Sequence, residues 1–459
     1  MTHRRERDSL GSVPVPDTAY WGVHTARALD NFSISGVPVS RYPGLVVALA
    51  RVKRAAARAN MDLGAIDPVV AAAIDHACRE IEDGKHHGQF CVDMIQGGAG
   101  TSTNMNANEV IANVALEHLG HSRGSYEYVH PIDHVNRCQS TNDVYPTAIK
   151  LALISAIRCL DHELAALAQA MRVKGEEFAH VVKMGRTQLQ DAVPMTLGRE
   201  FHAFAATIEE DRQRLQESAD LMLECSLGAT AIGTGITALP GYQARAVDAL
   251  TEISGLPLVP AADLLEATSD VGVFMHVSGM LKRSAIKMSK ISSDLRLLSS
   301  GPQNGFAEIL LPARQAGSSI MPGKVNPVIP ETLNQIAFAI AGADTTVTMA
   351  ADNGQLQLNA FEPVIANALF QGFDWLTNGV RILRTHCIEG ITANEAELRR
   401  RVSGSAGLAT AFIPAIGYAA AAEVAHKAKD GQMAVIDAVA ALGFMGREDA
   451  QLILDAVST

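Results

Sequence analysis

Residues 317–327 read GSSIMPGKVNP: two hydroxyls, an ammonium and an amide set among glycines and prolines, with no histidine. A serine that attacks an acyl group needs a base beside it. Lys324 lies five residues after Ser319, so the SxxK spacing fails, and the GxSxG pattern of a nucleophile elbow is absent as well. Hydrolase chemistry would need a partner from elsewhere in the chain, and nothing in the stretch supports it.

Three more segments share the same chemistry: QGGAGTSTNMNANE (96–109), NRCQSTNDVYPT (136–147) and KMGRTQLQDAVP (183–194). Each is rich in small hydroxyl and amide residues, and each ends near the start of a helical stretch. Such residues collect at helix N-termini because their oxygens cap free backbone N–H groups. Four such loops, poor in charge and rich in hydrogen-bond donors, also describe an anion pocket, because helix N-termini attract negative charge. A small molecule bearing carboxylates fits that pocket, with Lys324 as the point charge for one of them. His86 and His87, in KHHG, have no acidic or cysteine partner at ligand spacing, and an exposed loop accounts for them.

Long helices must position these loops. Leu160, Leu164, Leu167 and Met171 recur at spacings of four and three, as do Leu197, Phe201, Phe204 and Ile208. Val277, Leu281, Met288, Ile291, Leu295 and Leu298 form a third stripe, and Ile365, Leu369, Leu376, Val380 and Leu383 a fourth. The expected fold is mainly α, with a bundle of long helices, some beyond 25 residues, at its core. The stretch 331–351 is apolar on several faces, which calls for neighbours on several sides and so for a homo-oligomer. The expected division is a mixed, mostly helical part over 1–140, the bundle over 141–393 and a small helical part over 394–459. The first boundary is marked by TNDVYP with Pro146. No strand–helix alternation, GxGxxG or GxxxxGK[ST] is present.

The composition narrows the class. At 459 residues, 48% hydrophobic and 19% charged, the chain is neither disordered nor too short for a large core. A net charge of −11 argues against a nucleic-acid surface. The N-terminus, MTHRRERDSLGSVPVP, does not read as a signal peptide, and the apolar run 412–425 is too short for a bilayer, so a cytoplasmic protein with no membrane partner is expected. Six cysteines without a CxxC pair read as reduced, mostly buried thiols.

Taken together, the blocks resemble the aspartase/fumarase superfamily of β-eliminating lyases, whose signature has the form GSSxMPxKxNP. The likeness also covers YWGVHTARALDNFSISG (20–36), GAGTSTNMNANEV (98–110), CQSTNDVYPTA (138–148) and KMGRTQLQDAVPMTLG (183–198). It continues through LGATAIGTG (227–235), SKISSDLRLLSSGP (289–302), GQLQLNAFEPV (354–364) and GITAN (390–394). GRTQ, with Gln188, stands where fumarases usually carry GRTH, and CQSTND where they carry SQSSND. With VIPE after the signature, these place the chain nearer the aspartase branch than class II fumarase. A non-catalytic, crystallin-like member of the superfamily is the alternative of a different class; the retained Ser318, Lys324 and Asn326 speak against it.

The resemblance implies reversible deamination of L-aspartate to fumarate and ammonia, without a metal or other cofactor. Ser318 would be the general base that takes a proton from the β-carbon, leaving an enediolate on the adjacent carboxylate. Thr101, Ser140, Thr141 and Ser319 would stabilise that charge, each such donor lowering the barrier by roughly 3–4 kcal/mol. Lys324 and Asn326 would hold the other carboxylate, and Asn142, Thr187 and Gln188 would surround the amino group, with Gln188 pairing with Glu331. Gly317 and Gly323 would be the hinges of a closing loop. The implied assembly is a homotetramer whose active sites each draw on three subunits.

Overall fold

The computed structural model describes residues 2–457. The chain opens with a hairpin of β1 (His3–Asp8) and β2 (Gly11–Pro16), pairing His3 with Pro16 and Asp8 with Gly11. Four helices follow: α1 (Val23–Asn31), α2 (Pro43–Asp62), α3 (Pro68–Glu82) and α4 (Thr101–His118). The 37-residue α5 (Thr141–Glu177) leads into a second hairpin, β3 (Val182–Thr187) and β4 (Gln190–Thr196), and then into α6 (Leu197–Asp220). Next come α7 (Tyr242–Ser254), α8 (Leu264–Ser269), α9 (Gly272–Leu298), α10 (Val328–Asp352) and α11 (Glu362–His386). The C-terminal helices are α12 (Glu395–Gly404), α13 (Ile413–Asp430), α14 (Val435–Ala441) and α15 (Arg447–Val457). Every sheet among the described residues has two strands, so the fold is mainly α, as its sequence pattern indicates.

The apolar stripes lie where their spacing puts them. Leu160, Leu164, Leu167 and Met171 on α5 are fully buried, as are Ile365, Val380 and Leu383 on α11. Pro146 does not end a helix. It sits in the second turn of α5, where its missing N–H would have met the Asn142 carbonyl, and the helix tolerates the loss that close to its start.

Two compact units share the chain. The first comprises Met1–Leu160, Arg214–Arg283 and Ala339–Trp375; the second comprises Asp161–Gln213, Ser284–Phe338 and Leu376–Thr459. The linear division at 140 and 393 describes sequence segments rather than these units, since α5, α6, α9, α10 and α11 each contribute residues to both.

In the first unit α2 packs against α3 and α7, and α3 against α4. Residues Thr103–Leu116 of α4 are all buried, an uncommon state for a helix carrying Asn104, Asn106, Asn108, Glu109 and Asn113. Glu109 answers for its burial by accepting hydrogen bonds from the Gly22, His24 and Thr25 N–H groups and the Thr25 hydroxyl, which ties the start of α1 to α4. Glu362, in the first turn of α11, is buried as well, and loss of hydration pushes its carboxyl up to about 8.

In the second unit Phe412, Val424, Val435, Ala438 and Val439 form a core with Leu408, Ala450 and Leu454. Within Ala406–Asp430, 25 residues long, an 18-residue window has mean hydropathy 1.5, enough to cross a membrane by length and composition alone. The segment is not one straight helix: Gly417 has φ +81° and ψ 162°, which breaks α13, and Phe412, Val424 and Ala428 are buried in this core. All six cysteines are free thiols, four of them buried, with Cys91 half-buried and Cys159 exposed.

Truncating Phe412 to Ala should cost about 3–5 kcal/mol, measured by denaturant unfolding, because it removes a fully buried ring from this core. Glu362→Gln should match the wild type in stability near pH 4. Above that the wild type holds a raised folded-state pKa against an unfolded value of about 4.3, so its stability falls as pH rises to about 8 and then levels off. The variant should therefore become the more stable protein across that window in pH-dependent melts.

Candidate active site

In the first unit the starts of α4 and α5 lie side by side. Gly100 caps α4 at φ +88°, a conformation that favours glycine, and a Cβ there would run into the ring of Tyr145. Thr101 is exposed at the first turn and donates its hydroxyl to the Gly98 carbonyl at 2.7 Å. One turn on, Asn104 Nδ2 donates to the buried Thr141 Oγ1 at 3.1 Å. Ser140 caps α5: its N–H donates to Asp143 Oδ1 at 3.0 Å, and its Oγ accepts from Asn142 N–H at 3.3 Å. Capping thus accounts for part of what Ser140 does. Asn142 donates Nδ2 to the Ala231 carbonyl at 2.7 Å.

Beneath these hydroxyls lie two buried ionisable groups that the sequence patterns did not single out. Asp143 accepts from the Gly228 and Thr230 N–H groups as well as Ser140, and so anchors the 226–235 loop to α5. Burial raises its carboxyl to about 6 against those bonds. Lys53, on α2, is fully buried; its Nζ donates to Asn136 Oδ1 at 2.8 Å and to Gln139 Oε1 at 3.0 Å. Desolvation lowers it to about 7, opposed by the charge of Asp143. A lysine amid the alanines of RVKRAAARAN was the one available signal.

The second unit holds the remaining predicted residues in two places. Thr187 and Gln188 sit exposed at the tip of the β3–β4 hairpin, where Gln188 and Leu189 take φ +52° and +63°. Two non-glycine residues in the left-handed region make a strained turn that its surroundings must hold. Part of that hold is a buried ion cluster. Glu308 meets Lys183 at 2.8 Å and Arg186 at 2.5 Å, Lys183 also reaches Glu200 at 2.6 Å, and the Arg186 guanidinium lies over the Phe306 ring.

The 317–327 loop closes on itself at a neck. Gly317 N–H donates to the Lys324 carbonyl at 2.8 Å, and Asn326 Nδ2 donates to the Gly317 carbonyl at 2.8 Å. A Cβ on Gly317 would stand 2.7 Å from the Lys324 oxygen, so this glycine allows close approach and is not a free hinge. Gly323, at φ +80° with open space around it, keeps that capacity. Ser318, half-buried, accepts two backbone hydrogen bonds on Oγ, from Ile320 N–H at 3.2 Å and Met321 N–H at 3.1 Å. Among the described residues no histidine is hydrogen-bonded to it. Ser319 is exposed. Lys324, also exposed, and Asn326 line a cavity of about 460 Å³ with Arg296, Ser299 and Ser300. Glu331 faces Arg296 at 3.7 Å, and within this chain no hydrogen bond joins it to Gln188 among the described residues. His86 and His87 are tied down rather than loose: His86 meets Glu80 at 3.2 Å, a partner six residues upstream that the spacing argument passed over, and His87 meets the Ile81 carbonyl at 2.8 Å.

The structure therefore brings Thr101, Ser140, Thr141 and Asn142 together in one unit, and places Ser318, Ser319, Lys324 and Asn326 on one loop of the other. Thr187 and Gln188 stand on a separate hairpin of that second unit.

Comparison with known proteins places the chain in a family. The family described as lyase matches residues 11–342, and the fumarase C C-terminus matches 408–458. An aspartate ammonia-lyase of Pseudomonas canavaninivorans is 59% identical over 98% of this chain and 94% of its own length. That of Escherichia coli K12 is 53% identical over 90% of this chain and 87% of its own. Among solved structures, a fumarate lyase:delta crystallin from Brucella melitensis bound to cobalt superposes with a TM-score of 0.96 at 52% identity, covering 99% of both chains. A class II fumarase from Schistosoma mansoni superposes with a TM-score of 0.93 at 33% identity, covering 100% of this chain and 99% of its own. The hydroxyl- and amide-lined helix starts, the signature loop and the end-to-end match make this chain a member of the lyase family, within the aspartase/fumarase superfamily.

Proposed function

We propose that the chain is an enzyme that reversibly deaminates L-aspartate to fumarate and ammonia by general-base β-elimination. The observation that carries the choice of reaction is the 51–59% identity, over 95–98% of this chain, to aspartate ammonia-lyases from Pseudomonas and Helicobacter. The solved class II fumarase, at 33%, is more distant. Gln188 in place of the fumarase histidine points the same way.

The chemistry asks for a base able to remove a proton from carbon and for donors that await the resulting charge. Hydrogen bonds to the charged form of a group favour that form, and two backbone N–H groups already point at Ser318 Oγ. A serine so placed is a better alkoxide than one in water, and loop closure that excludes water strengthens the effect. Electrons from the broken C–H bond flow into the adjacent carboxylate as an enediolate. Its collapse forms the carbon–carbon double bond and expels ammonia. Ser140, Thr141 and Ser319 would meet the enediolate, joined by Thr101 once its hydroxyl turns away from the Gly98 carbonyl, and Lys324 and Asn326 would meet the second carboxylate.

Asn142 supports an ammonium subsite in particular. Its Nδ2 is committed to the Ala231 carbonyl, which leaves the amide oxygen as the acceptor that an ammonium requires. Thr187 and Gln188, on their strained turn, would complete that subsite.

The site would be assembled from three subunits of a cytoplasmic homotetramer. Large apolar side chains stand exposed on the long helices, including Met275 and Ile286 on α9 and Phe338 and Met349 on α10. Neighbouring copies would cover them. A linear division at 140 and 393 would then separate N-terminal, bundle and C-terminal segments.

Purified protein supplied with L-aspartate should release ammonia and gain fumarate absorbance in the ultraviolet. Hydration of fumarate to malate, without ammonia from aspartate, would assign the chain to fumarase chemistry instead. Ser318→Ala should keep its circular dichroism and assembly size while turnover drops roughly 10²–10⁴-fold, the range for loss of a general base. Full turnover in that variant would remove Ser318 from the mechanism.

A further inference from the structure

The hydroxyl of Thr141 is best aimed at a bound carboxylate when a neighbour donates to its oxygen from behind, so that its own proton is left to point outward. The bonds behind it determine that choice one after another. Gln139 donates Nε2 to the carbonyls of Val135 and Arg137, each at 3.0 Å, so its Oε1 is the atom that faces Lys53. Asn136 donates Nδ2 to the Gln139 carbonyl at 3.2 Å, which turns its Oδ1 toward the interior. That single oxygen then accepts from three donors: Lys53 Nζ at 2.8 Å, Asn104 Nδ2 at 3.1 Å and Asn108 Nδ2 at 3.1 Å. A flipped Asn104 amide would set oxygen against oxygen at Asn136. Asn104 must therefore present its NH₂, and the same group reaches Thr141 Oγ1 at 3.1 Å.

Every member of this chain except Asn136 is buried, and Asn136 is half-buried, so water has little access to compete for these bonds. The arrangement is maintained at a cost: Asn104 Oδ1 is itself buried with no hydrogen-bond partner, a state that ordinarily destabilises a fold. An amide that leaves its own oxygen unpaired in order to present its NH₂ is held by its neighbours and not by its own best local bonding.

We propose that Asn104 is a positioning residue for the deamination: held by Asn136 and Lys53, it donates to Thr141 and so obliges the Thr141 hydroxyl to donate outward, to the reacting carboxylate. The inference deepens the functional reading above and rests on its assignment of Thr141. Lys53 enters it as a buried donor that helps lock the Asn136 oxygen, not as a group that touches substrate.

The test is a double-mutant cycle with L-aspartate as substrate. Asn104→Asp replaces the donor by an acceptor, which invites the Thr141 proton inward. It should lower kcat/KM about 10–100-fold, the size of a lost hydrogen bond to charge, with most of the loss in kcat. Thr141→Val should show a loss of the same order. In the Thr141→Val background, Asn104→Asp should change kcat/KM by less than about threefold, because the hydroxyl it misdirects is gone. Equal losses in both backgrounds would mean that Asn104 only supports the fold, and would overturn the proposal. Should Asn104→Asp not fold, Asn104→Leu, which removes the donor without adding charge, takes its place in the same cycle with the same criterion.

Failure of the functional reading gives a different result. A wild type that releases no ammonia from aspartate removes the reaction itself. A wild type that turns over normally, together with an undiminished Thr141→Val, removes Thr141 from the site and this proposal with it.

Discussion

The hydrogen bond from Lys53 to Asn136 is the interaction on which the candidate anion site depends most. A lysine without access to water must place its protons on protein oxygens, and those oxygens are then unavailable to accept from anything that would change their orientation. Asn136, Gln139 and Asn104 take up fixed amide orientations as a result. The starts of α4 and α5 are thereby fastened within a turn of each other. Asp143 completes the arrangement from the other side by gathering three backbone N–H groups, so that the 226–235 loop, the cap of α5 and the Asn142 amide are placed together.

The second unit solves a different problem with similar means. Its hairpin tip and its signature loop both carry exposed functional candidates, and each is stiffened at its base rather than along its length. Glu308 between Lys183 and Arg186 holds the region of the hairpin, while Gly317, Lys324 and Asn326 close the neck of the loop. Residues 318–323 remain outside that neck. The proposed base, which would be hydrated before substrate arrives and dry afterwards, would be well served by such a mount, since the part free to close would be small and the part that aims it would not.

Much of this was legible in the residues. The stripes on α5, α6, α9 and α11 lie where their spacing of three and four demands, because long helices buried on one face leave little freedom in register. The four polar loops stood out because small hydroxyl and amide residues interrupt otherwise apolar patterns. What escaped notice escaped for physical reasons. The β1–β2 hairpin has charged and proline-rich strands, HRRERD and GSVPVP, that lack the alternation of a half-buried strand. Pro146 looked like a boundary because proline usually ends a helix, yet α5 runs on through it. The Lys53–Asn136–Asn104 chain joins residues from three segments through amide orientation, which no local pattern encodes. Asn326 drew attention as a ligand for carboxylate, and the structure shows part of its bonding capacity spent inside the loop.

A crystal structure with L-aspartate bound tests the central claim most directly: that a serine oxygen steadied by backbone N–H groups faces the β-carbon while hydroxyl donors wait at the adjacent carboxylate. The account predicts Ser318 Oγ at about 3–3.5 Å from that carbon, with carboxylate oxygens about 3 Å from the Ser140 and Thr141 hydroxyls. A bound substrate whose methylene lies well beyond reach of Ser318 with the loop closed, or whose carboxylates avoid the starts of α4 and α5, would contradict it.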